Sequence, residues 1–404
     1  MSPDHLFLVP LALGHLALFV VAMNVVHALG HPERTLDKAK LVALALFASL
    51  SAVLAWEAWG GPLSAWSWPS LAYGSVCILT GLLAVPAASA YLHHRPRPVC
   101  SAGRESVSDF TEGEGPRAFI GGGRYAWLLG LPGNESLRLR TVDCELPLAN
   151  LPGALDGLSV LHLSDMHLAT CFDRRYFESV VDAAAGLPAD LVAFTGDLLD
   201  DDAAAGWIVP LFSRLRGRLG SFAILGNHDL SHDPARLRGL LEEAGFVDLE
   251  GRWAAVEDRG LTVALGGTSY PWGPPLPQAD RPRADFRILL SHAPDQFYRA
   301  ERLGFDLMLS GHNHGGQVRF PLVGPVFMPS VYSRRFDRGF FRKGKLTLHV
   351  SQGVAGKHPV RYGCLPEIHR IVLRSIPAGS PGAIPDPAYR SHGQGRSRTG
   401  DQVR

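Results

Sequence analysis

Net charge is almost absent from this chain of 404 residues: 39 Lys and Arg stand against 38 Asp and Glu, leaving +1. No global field therefore draws it to nucleic acid, and no nucleic-acid partner is expected. Cysteine is scarce as well. The five residues, Cys77, Cys100, Cys144, Cys171 and Cys364, are odd in number and scattered, which argues against a disulfide framework and against a thiolate zinc site with paired short spacing. A reducing compartment suits them best. Internal repeats are lacking too. Charge is also missing locally, since residues 1–92 carry only Asp4, Glu33, Arg34, Asp37, Lys38, Lys40 and Glu57. The two parts of the chain are built for different media.

Within that charge-poor part, three apolar stretches, Leu6 to Leu29, Leu41 to Trp59 and Leu71 to Leu92, each approach the ~20 residues a helix needs to cross a hydrocarbon core. A membrane region with three transmembrane helices is expected over residues 1–95. A cleaved signal peptide is the competing reading of the first stretch, but Asp4 stands where a basic n-region belongs and two more hydrophobic segments follow. Arg34, Lys38 and Lys40 follow span one and Arg95 and Arg97 follow span three, whereas the turn at 60–69 offers Trp66 and Trp68. The positive-inside rule then places the N-terminus outside and the catalytic domain in the cytoplasm, in a multi-pass protein of the cell (inner, cytoplasmic) membrane. His15, Asn24 and His27 lie in or near span one, where a proton path competes with the plainer reading of polar side chains facing a bundle interior.

Residues 96–136 mix Pro, Ser, Gly, Glu and Arg without periodicity and are expected to be a linker. Its apolar patch Tyr125 to Leu131 is too short to span and is expected to pack on the next domain. From Leu137 to Ser375, β-like runs alternate with helix-like segments, the pattern of an α/β domain. Residues 376–404, rich in Pro, Gly, Ser, Arg and His, are expected to be a disordered tail.

Five β-like runs of this domain end in polar motifs: LSVLHLS before Asp165, LVAFTG before Asp197, FAILG before Asn227, RILLS before His292 and LMLSG before His312. Loops at the ends of buried strands are where a rigid scaffold presents chemistry. The residues presented, Asp165, His167, Asp197, Asn227, His228, His292, His312 and His314, are oxygen and imidazole donors suited to a borderline divalent cation such as Mn, Fe, Zn or Co. In Asp-x-His and His-x-His, side chains two apart on an extended segment point the same way, so each pair can enter one cavity. Any one of these histidines alone would more often be an ordinary loop residue. Five coincident motifs would not.

The blocks DMH (165–167), GDLLD (196–200), GNHD (226–229), SH (291–292) and GHNH (311–314) resemble, in order and all intact, the signature of the calcineurin-like metallophosphoesterase superfamily. The resemblance covers roughly residues 137–375. It implies an α/β/β/α sandwich of two mixed sheets, with two divalent metal ions at the sheet ends. It also implies that Asp165, His167 and His314 hold one ion, that Asn227, His292 and His312 hold the other, and that Asp197 bridges them. His228, oriented by Asp200, would stabilise or protonate the leaving oxygen, and Asp229 would be structural. The phrases LPGALDGLSVLHLSDMHL, GHNHGGQVRFP and LHVSQGVAGKHPVRYGCLPEIHRIVL are similar to a bacterial, membrane-associated subgroup, among them enzymes cleaving UDP-diacylglucosamine. Within it Gly315, Gly316 and Gln317 would shape the last ligand loop. His358 and Arg361 are candidates to meet a phosphate or headgroup, against the plainer reading of surface polar residues. The loop Tyr270 to Pro277 is a candidate rim of the site.

The leading expectation is a membrane-tethered two-metal phosphoesterase that hydrolyses a phosphodiester, pyrophosphate or phosphomonoester bond in a phosphorylated small molecule, a phospholipid or a nucleotide-linked lipid. A phosphodiesterase acting on soluble nucleotides is the first alternative. A protein phosphatase is disfavoured, because that branch extends its second block with Arg-Gly, where Asp201 and Asp202 stand here. A non-catalytic scaffold that keeps the fold is the alternative of another class, and it would be signalled by lost ligands; none is missing.

Overall fold

The computed structural model describes residues 7–31, 33–93, 100–113, 115–321 and 323–376. Three long helices come first: α1 (Leu8–His27), α2 (Glu33–Gly60) and α3 (Trp68–His93). Two stretches, Leu8–His27 and Thr35–Gly60, are long and apolar enough to cross a membrane. The expected third span is not among them: the apolar run described in α3, Trp68–Ala84, is shorter. Leu41, Val42, Leu44, Leu46 and Val53 of α2 are exposed, a run of apolar surface that water would not favour. α1 and α3 approach through glycine: a Cβ on Gly14 would lie 1.6 Å from the Cys77 carbonyl oxygen, and one on Gly81 2.0 Å from that of Pro10. His15 sits between Tyr73 Oη and Ser51 Oγ, each 2.8 Å away, so its polarity is spent joining the three helices.

The first sheet begins with β1 (Ser101–Asp109), β2 (Arg138–Leu148), β3 (Ser159–Leu163), β4 (Leu191–Thr195), β5 (Gly220–Ile224) and β6 (Val247–Asp248). The second is built from β7 (Trp253–Asp258), β8 (Leu261–Thr268), β9 (Phe286–Ser291), β10 (Leu307–Ser310), β13 (Gly339–Lys343) and β14 (Leu346–Val350), while β11 (Arg319–Phe320) and β12 (Gly324–Pro325) form a small hairpin. The chain then returns to the first sheet with β15 (Glu367–Ser375), giving orders β1-β2-β15-β3-β4-β5-β6 and β13-β14-β10-β9-β8-β7. Both sheets are mixed. β3, β4, β5 and β6 run parallel with antiparallel β15 beside β3, and β8, β9, β10 and β14 run parallel between antiparallel β7 and β13.

Alternation along each strand decides which layer a side chain enters. Val160, Ala193, Ile224, Leu265, Ile288, Leu309 and Ile371 fill the space between the sheets. Leu161, Leu163 and Phe194 face outward onto α4 (Arg174–Ala185), α5 (Ile208–Phe212) and α6 (Pro234–Glu243). Leu289, Met308 and Leu348 face the other way, onto α7 (Phe297–Arg302). The result is a two-sheet sandwich with helices outside. Because β3 and β4 are buried on both faces, they read as continuous apolar runs, as buried parallel strands do. The helices carry their own start signals: Asp173 caps α4 by accepting from Arg175 N, and Asp233 caps α6 ahead of Pro234.

The linker expected over 96–136 is in large part structured. β1 pairs antiparallel with β2 from Arg104↔Asp143 to Asp109↔Arg138, Gly121 N and Gly123 N donate to the Cys171 and Thr170 carbonyls, and Leu129 is buried in the core, so the patch Tyr125 to Leu131 does pack on the domain. β1 escaped notice because it is an edge strand with residues 103–108 exposed, so no apolar alternation marks it. Arg95 and Arg97, and the tail from residue 377 on, lie outside the described residues.

Candidate metal centre

The parallel direction of β3, β4 and β5, and of β9 and β10, brings their C-terminal ends to one edge of the sandwich, and the five polar motifs meet there. Asp165, His167, Asp197, His312 and His314 all hold positive φ, between 42° and 67°. Such left-handed backbone costs a non-glycine residue on the order of 1 kcal/mol or more, and it clusters where function demands a particular aim. It also turns the chain away from extended alternation. Two glycines make the close approach possible: a Cβ on Gly311 would fall 2.1 Å from Asp165 Oδ2, and one on Gly226 2.1 Å from Asp197 Oδ1.

Four histidines have one ring nitrogen fixed by an acceptor. His292 Nδ1 donates to the Thr195 carbonyl (2.8 Å), His314 Nδ1 to that of Ala355 (3.1 Å), His312 Nε2 to that of Pro329 (2.9 Å) and His167 Nδ1 to Asp200 Oδ2 (2.8 Å). In the neutral ring this leaves the other nitrogen as a bare lone pair, the tautomer a cation requires. Those bare atoms face one another. His167 Nε2 lies 3.2 Å from His314 Nε2, His312 Nδ1 lies 3.1 Å from His292 Nε2, and Asn227 Oδ1 lies 3.0 Å from His292 Nε2.

Asp197 sits between the two groups. Its Oδ1 accepts from His228 N, while Oδ2 is buried with no hydrogen-bond partner among the described residues, 3.5 Å from His167 Nε2 and 3.3 Å from His292 Nε2. An orphaned buried carboxylate oxygen among bare imidazole nitrogens is what a cation would satisfy. Asp165, Oδ1 3.5 Å from His314 Nε2, is oriented by His312 N. Asp165, His167, Asp197 and His314 form one group able to hold an ion, and Asp197, His292 and His312 a second. Burial raises the Asp165 carboxyl and pushes Asp229 up to about 6, with the Asp197 charge adding to both, which marks an excess of negative charge.

Asp200 does more than sequence reasoning assigned to it. Oδ1 accepts from His228 Nδ1 at 2.6 Å while Oδ2 takes His167 Nδ1, so one carboxylate orients both the candidate acid and a candidate ligand. Burial opposes its ionisation, but His167 and His228 more than offset that and hold it well below the usual carboxylate range. Asp229 is buried and accepts from Gly226 N, Leu198 N and Leu199 N, stitching the second and third blocks together. Arg361, expected near a substrate phosphate, is instead buried behind the site: its guanidinium donates to the Gln352 and Ala355 carbonyls and lies 3.4 Å from His314 Nδ1. His358 is exposed, with its ring against Tyr125, and its imidazole pKa is lowered by desolvation and then by Lys357, with Asp200 opposing and His228 and Lys40 adding. The loop Tyr270 to Pro277 brings Trp272 to within 4.8 Å of the His312 ring and 5.9 Å of the His292 ring, ring centre to ring centre. The loop thus borders the site, as its place in the sequence suggested.

A buried set of carboxylate and imidazole donors at the strand ends of a two-sheet sandwich defines a metal-dependent phosphoesterase. The family model of calcineurin-like phosphoesterases matches residues 158–316. Over that stretch the chain is similar to this family. Similar proteins include an uncharacterized metallophosphoesterase of Bacillus subtilis, YkuE, 28% identical over 64% of this chain and 92% of its own length. The phosphodiesterase YaeI of Escherichia coli is 29% identical over 53% of this chain and 81% of its own. A transmembrane protein with a metallophosphoesterase domain from Danio rerio is 30% identical over 58% of this chain and 57% of its own.

Proposed function

We propose a two-metal phosphoesterase, held at a membrane by its apolar N-terminal helices, that hydrolyses a phosphoester bond in an amphiphilic substrate such as a phospholipid or a nucleotide-linked lipid. Asp165, His167 and His314 hold one ion, Asn227, His292 and His312 the other, and the orphaned Asp197 Oδ2 supports a bridging role. A pair of divalent cations would polarise a phosphoryl oxygen and lower the pKa of a water for in-line attack. The protein's own residues do the rest. Asp200 holds His228 by Nδ1, which aims Nε2 at a leaving oxygen and favours the protonated ring able to donate to it. Trp272 covers the His312 side, and Arg361 keeps His314 in register through Ala355.

The observation that carries the amphiphile is the position of the α1–α2 turn at the mouth of the site. Asn24 near the end of α1 accepts from Met328 N (2.8 Å) and donates to the Val326 carbonyl (3.4 Å), and the carbonyl of Pro329, the residue after Met328, fixes His312. Gly30 packs so close to Pro271 that a Cβ would lie 2.9 Å from its ring, one residue from Trp272. Phe320, Val323, Phe327 and Val331 on the same side are exposed. Lys40 of α2 acts on His358 beside the site. A phosphate carried at a bilayer surface would meet this mouth beside cationic side chains, with its chains level with α1 and α2. This arrangement also suits a cytoplasmic domain, since the first turns of α2, which carry Lys38 and Lys40, lie on its side.

The test is a substrate panel with added Mn, run on full-length protein in detergent. Cleavage of phospholipid or nucleotide-linked lipid above soluble nucleotides is expected. Turnover of soluble nucleotides alone would overturn the amphiphile and favour the nucleotide phosphodiesterase reading. A reporter fused after residue 100 should respond as cytoplasmic, and a periplasmic signal would reverse the topology.

A further inference from the structure

A second group of donors lies away from the strand ends, between the sheets. His162 of β3, His369 and Glu367 of β15 and His349 of β14 all point into the inner layer, and His162 and His369 are register partners on neighbouring strands. We propose that His349, His369 and Glu367 form a further metal site, taking a borderline divalent cation with zinc foremost, that clamps the two sheets together independently of the catalytic centre.

Their donor atoms lie within 4.8 Å of one another, and all three residues are buried. Among the described residues neither His349 Nε2 nor either ring nitrogen of His369 has a hydrogen-bond partner, and His369 Nε2 stands only at ion-pair distance from Glu367 Oε1. Buried ring nitrogens are rarely left so. The tautomers explain what is missing. Thr195 Oγ1 donates to Ser164 Oγ at 2.7 Å and therefore accepts from His162 Nε2 at 3.0 Å. In the neutral ring, His162 Nδ1 is then an acceptor, and His349 Nδ1, 2.8 Å away, must be its donor. His349 Nε2 is left as a bare lone pair, oriented by a relay of hydrogen bonds in the manner of a metal ligand braced from behind.

Glu367 supplies the charge. Its Oε2 is taken by Arg140 and Gln352 Nε2, and its Oε1 accepts only from Gln352 N (2.9 Å), so Oε1 keeps a lone pair toward the histidines. His369 Nε2 lies 3.2 Å from Oε1, off the direction of a hydrogen bond. Two donors placed tetrahedrally at about 2.0 Å from zinc stand roughly 3.3 Å apart, close to the separation of His369 Nε2 and Glu367 Oε1. Two imidazoles and a carboxylate suit zinc and its neighbours, not calcium or magnesium. The ion would join β14 of one sheet to β15 of the other.

Metal content of the full-length protein, purified in detergent with zinc and measured by plasma mass spectrometry, tests this without reference to hydrolysis. His349→Gln should hold one ion fewer per chain than wild type. The double variant Asp197→Ala/His312→Ala, with the catalytic centre dismantled and the inner cluster untouched, should retain one ion, and adding His349→Gln should remove it. Cobalt in the double variant should give visible absorption of a tetrahedral site. A metal-free double variant, or equal metal in His349→Gln and wild type, would overturn the proposal and leave a neutral polar cluster. Failure of the phosphoesterase reading would leave these results unchanged.

Discussion

Asp200→Asn probes the site at the point where two functions share one side chain. The carboxylate accepts from His228 Nδ1 at 2.6 Å and from His167 Nδ1 at 2.8 Å. An amide offers one acceptor and one donor, so it can serve only one of these N–H groups. If its NH2 faces His167, that ring must turn its proton to Nε2, the atom facing His314 and Asp197, and the ion is lost. If its NH2 faces His228, the ions stay and the acid is misaligned. Loss of such an outer partner costs about 10- to 100-fold in metal affinity or activity, and loss of acid catalysis about 10²-fold or more. The variant should therefore lose at least ~10²-fold in kcat at limiting metal, where both costs act. The two branches separate in a paired assay. Titrating Mn while following hydrolysis of an alkyl and a nitrophenyl ester of the same phosphate shows whether excess metal restores rate, as in the first branch. In the second branch it shows whether only the alkyl ester, with its poor leaving group, is slow. His228→Ala should reproduce the second pattern with metal content intact. Wild-type kcat on both esters at limiting Mn would refute the shared role of Asp200.

Asp197→Ala should empty or scramble both ion positions, because the shared oxygen has no substitute, and activity should fall to background with bound metal reduced. Chelation of the wild type should abolish hydrolysis, and Mn should restore it; activity that survives chelation would contradict metal dependence. Gly311→Ala places a methyl group 1.9 Å from Ser164 Oγ and 2.1 Å from Asp165 Oδ2. It should cost about 1–3 kcal/mol by overpacking, read as a lowered midpoint of thermal unfolding together with weaker metal binding. Asn24→Leu removes both hydrogen bonds to the 326–328 segment. It should raise KM for a substrate in mixed micelles more than for a short-chain soluble analogue, and equal changes would detach α1 from substrate delivery.

The candidate site was legible because its chemistry is written in short contiguous blocks. Five apolar runs ending in Asp, Asn and His declare buried strands and their loops, and no distant residue is needed to name the donors. The membrane segments were legible as composition. The third stretch reads as a span by composition, whereas two helices among the described residues are long and apolar enough to cross. β1 was hidden because both faces of an edge strand are wet, so hydrophobic alternation had nothing to record.

Sequence by itself determined the donor set, the alternation of strands and helices, and the split between an apolar N-terminal part and a charged remainder, because these follow from residue type and local period. Tertiary structure alone decided which atoms meet. Parallel strand direction brings five separate loops to one edge, left-handed backbone at Asp165, His167, Asp197, His312 and His314 aims their side chains inward, and distant carbonyls at Thr195, Ala355 and Pro329 select the tautomers. The same distance in sequence hid the meeting of His162, His349 and His369. Each sits in an ordinary-looking strand, and only the facing of two sheets turns three isolated imidazoles into one cluster.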